Sequence, residues 1–290
     1  MAGRFAPSPT GELHVGNLRT ALAAWGSCAA RGEEFLVRME DLDRITSSPQ
    51  WASDQLAALS AVGITWVGEP VVQSERFDMY HDAIAALDTR GLVYECFCTR
   101  REIAEAAAAP HGGPVLYPGT CRDLSESERA LKRAERVGAL RLRSGGGNET
   151  FIDAVHGEVI APVDDVVLRR NDGVPAYNVA VVVDDAAQGI TEVVRGADLL
   201  QVTASQIRLQ KLLGLPPVQY AHVPLVVTAA GERLAKRDLG ITLPQLAAMG
   251  VSAAEVRDVL WASLGQTEQP FSWDAVPREP WVSAWSHGQS

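Results

Sequence analysis

Three short stretches hold residue types suited to chemistry. The first is Pro7-Ser8-Pro9-Thr10-Gly11-Glu12-Leu13-His14-Val15-Gly16-Asn17, which leads straight into a helical pattern. A glycine-containing loop at a helix N-terminus presents unpaired N–H groups and the positive end of a dipole, which suits a phosphate. There His14 can donate to a phosphoryl oxygen, and Gly16 lets a flat base approach the backbone. The same residues also suit a plain turn. The second stretch runs from Thr228 to Arg237, where Arg233, Lys236 and Arg237 follow a strand and Gly231. Three cations in such a loop can clamp a triphosphate, or simply face water. The third is Cys96-Phe97-Cys98 with Cys121 downstream. Four cysteines in a chain of 290 residues do not make a disulfide framework. A metal site in a reducing compartment fits them better. Structural zinc takes four ligands, and His111 is the conventional fourth. Cys28 sits in an apolar helical pattern and reads as core.

The elements around these stretches follow from periodicity. Residues 17–31, 50–62 and 75–92 carry helical spacing, and Glu34 to Met39 reads as a strand closed by Glu40-Asp41-Leu42-Asp43. Strand, helix and strand in this order imply a βαβ unit and a parallel sheet. Residues 96–121 show little periodicity, and 122–137 read as a charged helix. Gly145-Gly146-Gly147 marks a joint. Residues 178–184 (NVAVVVD) look like a buried strand, 203–213 like a helix and 223–227 like a short strand. The chain therefore reads as two α/β halves with an insert between them.

Composition limits the partners. Hydrophobic residues make up 47% and charged residues 21%, enough for a full core. A net charge of −10 argues against unselective adhesion to nucleic acid or an anionic membrane. A local basic face remains possible. Neither a signal peptide nor a run of ~20 apolar residues is visible, so a cytoplasmic protein with no membrane partner is expected.

Together the first two stretches resemble the two signatures of class I aminoacyl-tRNA synthetases: His14-Val15-Gly16-Asn17 and Arg233-Leu234-Ala235-Lys236-Arg237. The glutamyl branch is picked out by Arg4-Phe5-Ala6-Pro7-Ser8-Pro9-Thr10-Gly11, Arg38-Met39-Glu40-Asp41-Leu42-Asp43 and Ala176-Tyr177-Asn178. Val182-Val183-Asp184-Asp185 and Arg195-Gly196-Ala197-Asp198 complete the set. The second signature departs from the commonest form, with Arg233 in place of lysine and Ala235 in place of serine. Arg233 keeps the charge without lysine's compact geometry.

The resemblance implies an α/β, Rossmann-like parallel sheet with an inserted zinc-bearing subdomain and a short helical C-terminal tail. The expected boundaries are 1–93 and 177–240 for the two catalytic halves, 94–176 for the insert and 241–290 for the tail. By the same resemblance Pro7, His14, Gly16, Asn17, Arg233, Lys236 and Arg237 meet ATP with Mg²⁺. His14 and Lys236 are the catalytic pair on the phosphates. Arg4 and Arg195 meet the carboxylates of L-glutamate, Glu40 its ammonium, and Ser8 and Tyr177 donate hydrogen bonds. The metal set becomes Cys96, Cys98, Tyr117 and Cys121, with Tyr117 preferred to His111. Arg122, Arg129, Lys132, Arg133, Arg136, Arg141 and Arg143 either touch nucleic-acid phosphates or form a solvated charged face. The residues after Arg237 are too few for an anticodon-binding region. The chain thus resembles the truncated branch that activates glutamate without tRNA and places it on the queuosine base of tRNA(Asp), and a monomer is expected. Two alternatives stay open: a shortened glutamyl-tRNA synthetase charging the 3′ end of tRNA(Glu) or tRNA(Gln), and a catalytically silent tRNA-binding module.

Overall fold

A computed structural model describes residues 1–106, 116–232, 240–267 and 269–285. His111 and the second signature, with Arg233, Lys236 and Arg237, lie outside the described residues. In chain order the elements are β1 Ala2–Phe5, α1 Val15–Arg31, β2 Glu34–Met39, α2 Pro49–Ala61, β3 Val71–Val72 and α3 Phe77–Asp88. Next come β4 Val93–Cys96, α4 Arg100–Ala106, α5 Glu126–Glu135, β5 Ala139–Leu142, β6 Asn148–Asp153, β7 Gly157–Pro162 and β8 Val167–Arg169. The remainder is α6 Tyr177–Ala187, β9 Ile190–Gly196, α7 Thr203–Leu213, β10 Gln219–Val223, β11 Val226–Val227, α8 Leu243–Ala248, α9 Ala253–Ser263 and β12 Trp281–Val282.

Seven strands form the main sheet in the order β3-β2-β1-β9-β10-β6-β7. Every pairing is parallel except the β6–β7 hairpin. The chain winds outward from β1 to β2 and β3 on one side, and β9 and β10 fill the other. This reversal of strand order beside β1 opens a crevice at the carboxyl ends, where such sheets bind ligands.

Local sequence explains the pieces that frame that crevice. Helix α1 is rich in Ala and Leu, good helix formers. Its N-cap is His14, in a reciprocal pair with Asn17, and Gly32 ends it at φ 65°, a left-handed conformation glycine adopts without strain. Its buried face includes Val15, Leu18, Leu22 and Cys28, which places Cys28 in the core as its pattern implied. In α2, Ser48 caps Trp51 and Pro49 occupies the first turn. Helix α9 packs its Trp261 on Trp25 of α1, with ring centroids 6.5 Å apart.

Two expected strands are different in the structure. Residues 178–184 lie inside helix α6, not in a strand. A short run buried on all sides has the same apolar pattern in either state, and its valines favoured the wrong one. Packing decides instead: α6 is wedged between α3, α7 and the sheet. The expected strand 223–227 breaks at Pro224 into the end of β10 and the separate β11, because proline cannot donate to a ladder. The charged helix is shorter than expected, Glu126–Glu135, capped by Ser125 with Glu128. The stretch 94–176 feeds two sheets: β4, β5 and β8 form a small antiparallel one, while β6 and β7 extend the main one. The tail is helical through α8 and α9, then adds β12, which pairs in parallel with β11.

Candidate active site

The crevice is a cavity of about 860 Å³ at the carboxyl ends of β1, β2, β9 and β10. Arg4, Pro7, Ser8, His14, Gly16, Asn17, Glu40, Tyr177 and Arg195 all line it, so residues from four separate stretches meet in one place. Val226 lines it on one side of the second signature, and Gly240 and Thr242 on the other. Trp51, Gln55 and Gln245 line it too, and the sequence had singled out none of them. The loop from Ser8 to Gly11 is held from below by α2. Gln55 donates to the carbonyls of Ser8 and Gly11 at 3.0 and 2.7 Å, while Glu40 N–H reaches Pro7 O at 2.9 Å.

His14 is placed by the helix it caps. Its Nδ1 accepts the Gly16 N–H at 3.0 Å, and burial lowers its pKa. The ring is therefore neutral with its proton on Nε2, which leaves Nε2–H as a donor. Asn17 spends its amide oxygen on His14 N–H at 3.2 Å, leaving the NH₂ side for the cavity. The first turn of α1 differs from expectation: its N–H groups are not free. Val15 donates to Ile241 O, Gly16 to His14 Nδ1, and Asn17 and Leu18 to His14 O. What this turn offers an anion is therefore side-chain donors and the helix dipole. Gly16 also has a local structural reason. A Cβ there would lie 2.9 Å from His14 Cε1, so glycine makes room for the imidazole.

The amino-acid end is a set of buried charges. Arg4 Nε donates to Asp185 Oδ1 at 3.0 Å, and Arg38 Nη1 reaches the same oxygen at 2.8 Å. Burial pushes the Asp185 carboxyl up, but Arg4 and Arg38 outweigh it and hold the pKa below the usual range. Arg38 also reaches Glu40 at 3.2 Å. Burial keeps the Glu40 pKa raised in spite of Arg38 and Arg4, so an arriving ammonium would favour its ionised form. Burial also raises the pKa of the Tyr177 phenol, which keeps it a donor. Asp184 faces the other way, taking Gln73, Arg76 and Tyr80 at 2.7–2.9 Å, and ties α3 to α6.

Arg195 is the exception. It is 6% exposed, yet its partners are neutral: His222 Nε2 at 3.1 Å, Thr203 Oγ1 at 2.7 Å and Tyr177 OH at 3.5 Å. Among the described residues no carboxylate pairs with it. A buried cation without an anion is costly unless a ligand supplies one. A buried Arg195 with only neutral partners among the described residues is suited to an incoming anion.

A second cavity of about 860 Å³ adjoins the first and shares Ser8, Glu40 and Tyr177 with it. Its far wall is Cys96, Phe97 and Cys98 with Arg100, Arg136 and Arg170. Behind that wall the ligand atoms of Cys96, Cys98 and Cys121 lie within 4.8 Å of one another, so they can hold a metal ion. Cys98 and Cys121 Sγ are 3.6 Å apart, and Tyr117 OH sits 3.3 Å from Cys96 Sγ and 3.7 Å from Cys98 Sγ. Six of the seven basic residues singled out in this region already have partners. Arg122 pairs with Asp165, Arg129 with Glu126, Arg133 with Glu95 and Arg143 with Asp123. Arg136 and Arg141 donate to the carbonyls of Phe97 and Asp165. The bland alternative, a solvated charged face, fits α5.

Residues 1–259 match the family described as tRNA synthetases class I (E and Q), catalytic domain. The chain belongs to this family. Curated synthetase relatives match over almost the whole chain. A Nocardia farcinica (strain IFM 10152) protein named Glutamyl-Q tRNA(Asp) synthetase is 54% identical, over 97% of this chain and 92% of its own. One of the same name from Symbiobacterium thermophilum is 40% identical, over 97% of this chain and 95% of its own. The crystal structure of glutamate-tRNA synthetase from Elizabethkingia anophelis superposes with a TM-score of 0.77 at 23% identity, over 98% of this chain and 68% of that one. That likeness speaks for the synthetase fold.

Beyond the expected residues, Asp185, His222, Asp153 and Thr203 lie behind the cavity wall, holding Arg4, Arg38 and Arg195 directly or through His222. Asp185 fell within a quoted string but without a role. His222 gave no signal, because a histidine in an apolar strand reads as core.

Proposed function

We propose that this chain uses ATP to convert L-glutamate to glutamyl-adenylate without tRNA, then transfers the glutamate to the queuosine base of tRNA(Asp). The observation that carries the glutamate reading is Arg195, a buried cation with only neutral partners in a cavity that also holds Glu40. Glutamate brings two carboxylates and one ammonium, and glutamine lacks the second charge. Charge-assisted hydrogen bonds of about 1.5–3 kcal/mol each suffice to tell them apart. The names of the curated relatives support the queuosine-tRNA(Asp) acceptor. In this reading Arg4 and Arg195 receive carboxylates, Glu40 the ammonium, and Ser8 and Tyr177 donate.

Activation forms a bond between a glutamate α-carboxylate oxygen and the α-phosphorus of ATP, and the bond to pyrophosphate breaks. No protein nucleophile is needed, so catalysis is positioning and charge stabilisation. His14 Nε2–H supplies a neutral donor at the mouth of α1, and Pro7, Gly16 and Asn17 shape the nucleotide end. Arg233, Lys236 and Arg237 add charge on the polyphosphate. Mg²⁺ bound with ATP shares that charge. The adjoining cavity gives an acceptor nucleoside a way in from the side of Arg100 and Arg136.

The cysteine cluster fits structural zinc. For Zn–S of about 2.3 Å and Zn–O of about 2.0 Å, a tetrahedron sets neighbouring ligand atoms roughly 3.5–3.8 Å apart. Cys98–Cys121 at 3.6 Å and Tyr117 OH–Cys98 at 3.7 Å fall in that range, Tyr117 OH–Cys96 at 3.3 Å is slightly shorter, and the three sulfurs all lie within 4.8 Å of one another. Zinc there would clamp β4 to the loop before α5 and play no part in the reaction. Among the described residues no helix is long and apolar enough to cross a membrane; we place the enzyme in the cytoplasm, as a monomer.

Glutamate-dependent exchange of pyrophosphate into ATP without tRNA tests the first half. Labelled glutamate with tRNA(Asp) bearing or lacking queuosine tests the second. Label on tRNA(Glu) or on queuosine-free tRNA(Asp) would overturn the acceptor assignment.

A further inference from the structure

Three neighbouring parallel strands end side by side under the cavity. Asp153 is the last residue of β6, His222 the fourth of β10 and Arg195 the sixth of β9. His222 and Arg195 are direct partners in the sheet register. Asp153 and His222 are 1% and 0% exposed, deeper than Arg195. His222 Nδ1 lies 2.6 Å from Asp153 Oδ2, and its Nε2 lies 3.1 Å from Arg195 Nε. We propose that Asp153 and His222 are positioning residues that fix the tautomer and place of an imidazole so that it holds the Arg195 guanidinium for the substrate carboxylate. The proposal deepens the glutamate reading above and rests on it.

The chemistry leaves one arrangement. Arg195 Nε always carries hydrogen, so His222 Nε2 must be the acceptor, with its lone pair bare. The ring proton is then on Nδ1, where the Asp153 carboxylate accepts it. Thr203 agrees with this: its hydroxyl accepts from Arg195 Nη2 at 2.7 Å, and its own proton has two acceptors at 3.0 Å, Leu199 O and a bare His222 Nε2. Two edges of the guanidinium are thus fixed by neutral groups, and the Nη1 edge is aimed past Tyr177 into the cavity. Neutral partners matter. A carboxylate in place of His222 would cancel the charge that a ligand must meet. An unsupported arginine would swing. Asp153 in turn is locked, since its Oδ1 accepts the N–H groups of Val155 and His156 at 3.0 Å each.

That lock makes a sharp test. In Asp153→Asn the two backbone N–H groups hold the amide oxygen, so the NH₂ faces His222 Nδ1. The imidazole must then carry its proton on Nε2, pointing at Arg195 Nε–H. Donor meets donor, and the arginine is displaced in a side chain of almost unchanged shape. His222→Phe removes the acceptor, whereas His222→Gln offers an oxygen near the Nε2 position. In tRNA-free pyrophosphate exchange, Asp153→Asn and His222→Phe should raise the glutamate KM by about 10- to 100-fold, the usual scale for misplacing a binding group. The ATP KM should stay put, and His222→Gln should recover most of the loss. A purely structural role would move both KM values or neither. Nitrogen NMR of wild-type His222 supplies a readout independent of any variant's folding: Nδ1 protonated and Nε2 bare. Unchanged glutamate KM in both damaging variants overturns the proposal, as does an Nε2-protonated or doubly protonated ring. Absence of glutamate-dependent exchange in the wild type would instead strike the function reading itself.

Discussion

The imidazole of His14 accepts the N–H of Gly16, two residues on, at 3.0 Å. The residue proposed here to meet the phosphates is therefore also the N-cap of α1, and the cap settles which nitrogen carries the proton. The two roles use opposite edges of one ring, so they can be separated by substitution.

His14→Asn keeps a good N-cap but has no donor where Nε2–H was. Pyrophosphate exchange should fall by roughly 10²–10³ in kcat, the usual cost of one transition-state donor, with little change in melting temperature. His14→Ala should lose the same activity and also about 1 kcal/mol of stability. Equal melting temperatures for the two variants would refute the capping role. Activity kept in His14→Asn would refute the catalytic one.

Gly16→Ala places a Cβ 2.9 Å from His14 Cε1 and 3.0 Å from Nδ1. The ring has to move, so kcat should drop by at least about tenfold even though alanine is the better helix former. Steady-state exchange kinetics with ATP and glutamate varied in turn would read it. An active, more stable Gly16→Ala enzyme would contradict the account.

Arg195→Ala should raise the glutamate KM by about 10- to 150-fold, the equivalent of about 1.5–3 kcal/mol. Arg195→Lys should recover little, because lysine has no second edge for His222 and Thr203. The same assay with glutamine as competitor checks whether discrimination is lost as well.

Stability should fall as the solution is acidified from neutral. Burial lowers the pKa of His14 and His222 from the usual 6.5. Below about pH 6.5 the unfolded chain takes up protons that the folded one refuses, which favours unfolding. The stability of the native state is therefore complete above pH 6.5 and declines below it, until the depressed folded values are reached. Asp153 and Asp185 sit below their usual 3.8 and add a further loss at lower pH. Urea midpoints at pH 7.5, 6.5 and 5.5 should decrease in that order, and less so for His14→Asn. A flat series would count against it.

Tyr117→Phe should strip the fourth ligand from the cysteine cluster. After dialysis against a chelator, the wild type should retain about one zinc per chain and the variant little. Metal analysis of the two preparations decides it, and equal zinc contents would exclude the phenol as a ligand.

The sequence exposed more of the site than of the fold. Arg4, Ser8, Glu40, Tyr177 and Arg195 stood out because they fall in strings that resemble the glutamyl branch of the family, and all five line one cavity. The supports beneath them did not stand out. Asp153 and His222 lie on strands whose alternation is that of ordinary core, and only the β6–β10–β9 adjacency brings them to Arg195. Residues 178–184 misled for a related reason: the positions from Val179 to Asp185 are all buried, so no exposed face reveals a period. Register and layer order are long-range facts, set by which strand lies beside which, and short windows do not contain them.

The pairing of β12 with β11 ties the far end of the described chain to the rim of the catalytic cavity. Val226, in β11, is both a cavity wall and the register partner of Trp281, whose N–H reaches the carbonyl of Leu225 at 3.0 Å. A shortened form ending before Trp281 would leave the doorpost of the nucleotide crevice without its brace. For anyone choosing where to cut or fuse this protein, the C-terminal segment is working hardware, and a handle is better attached elsewhere.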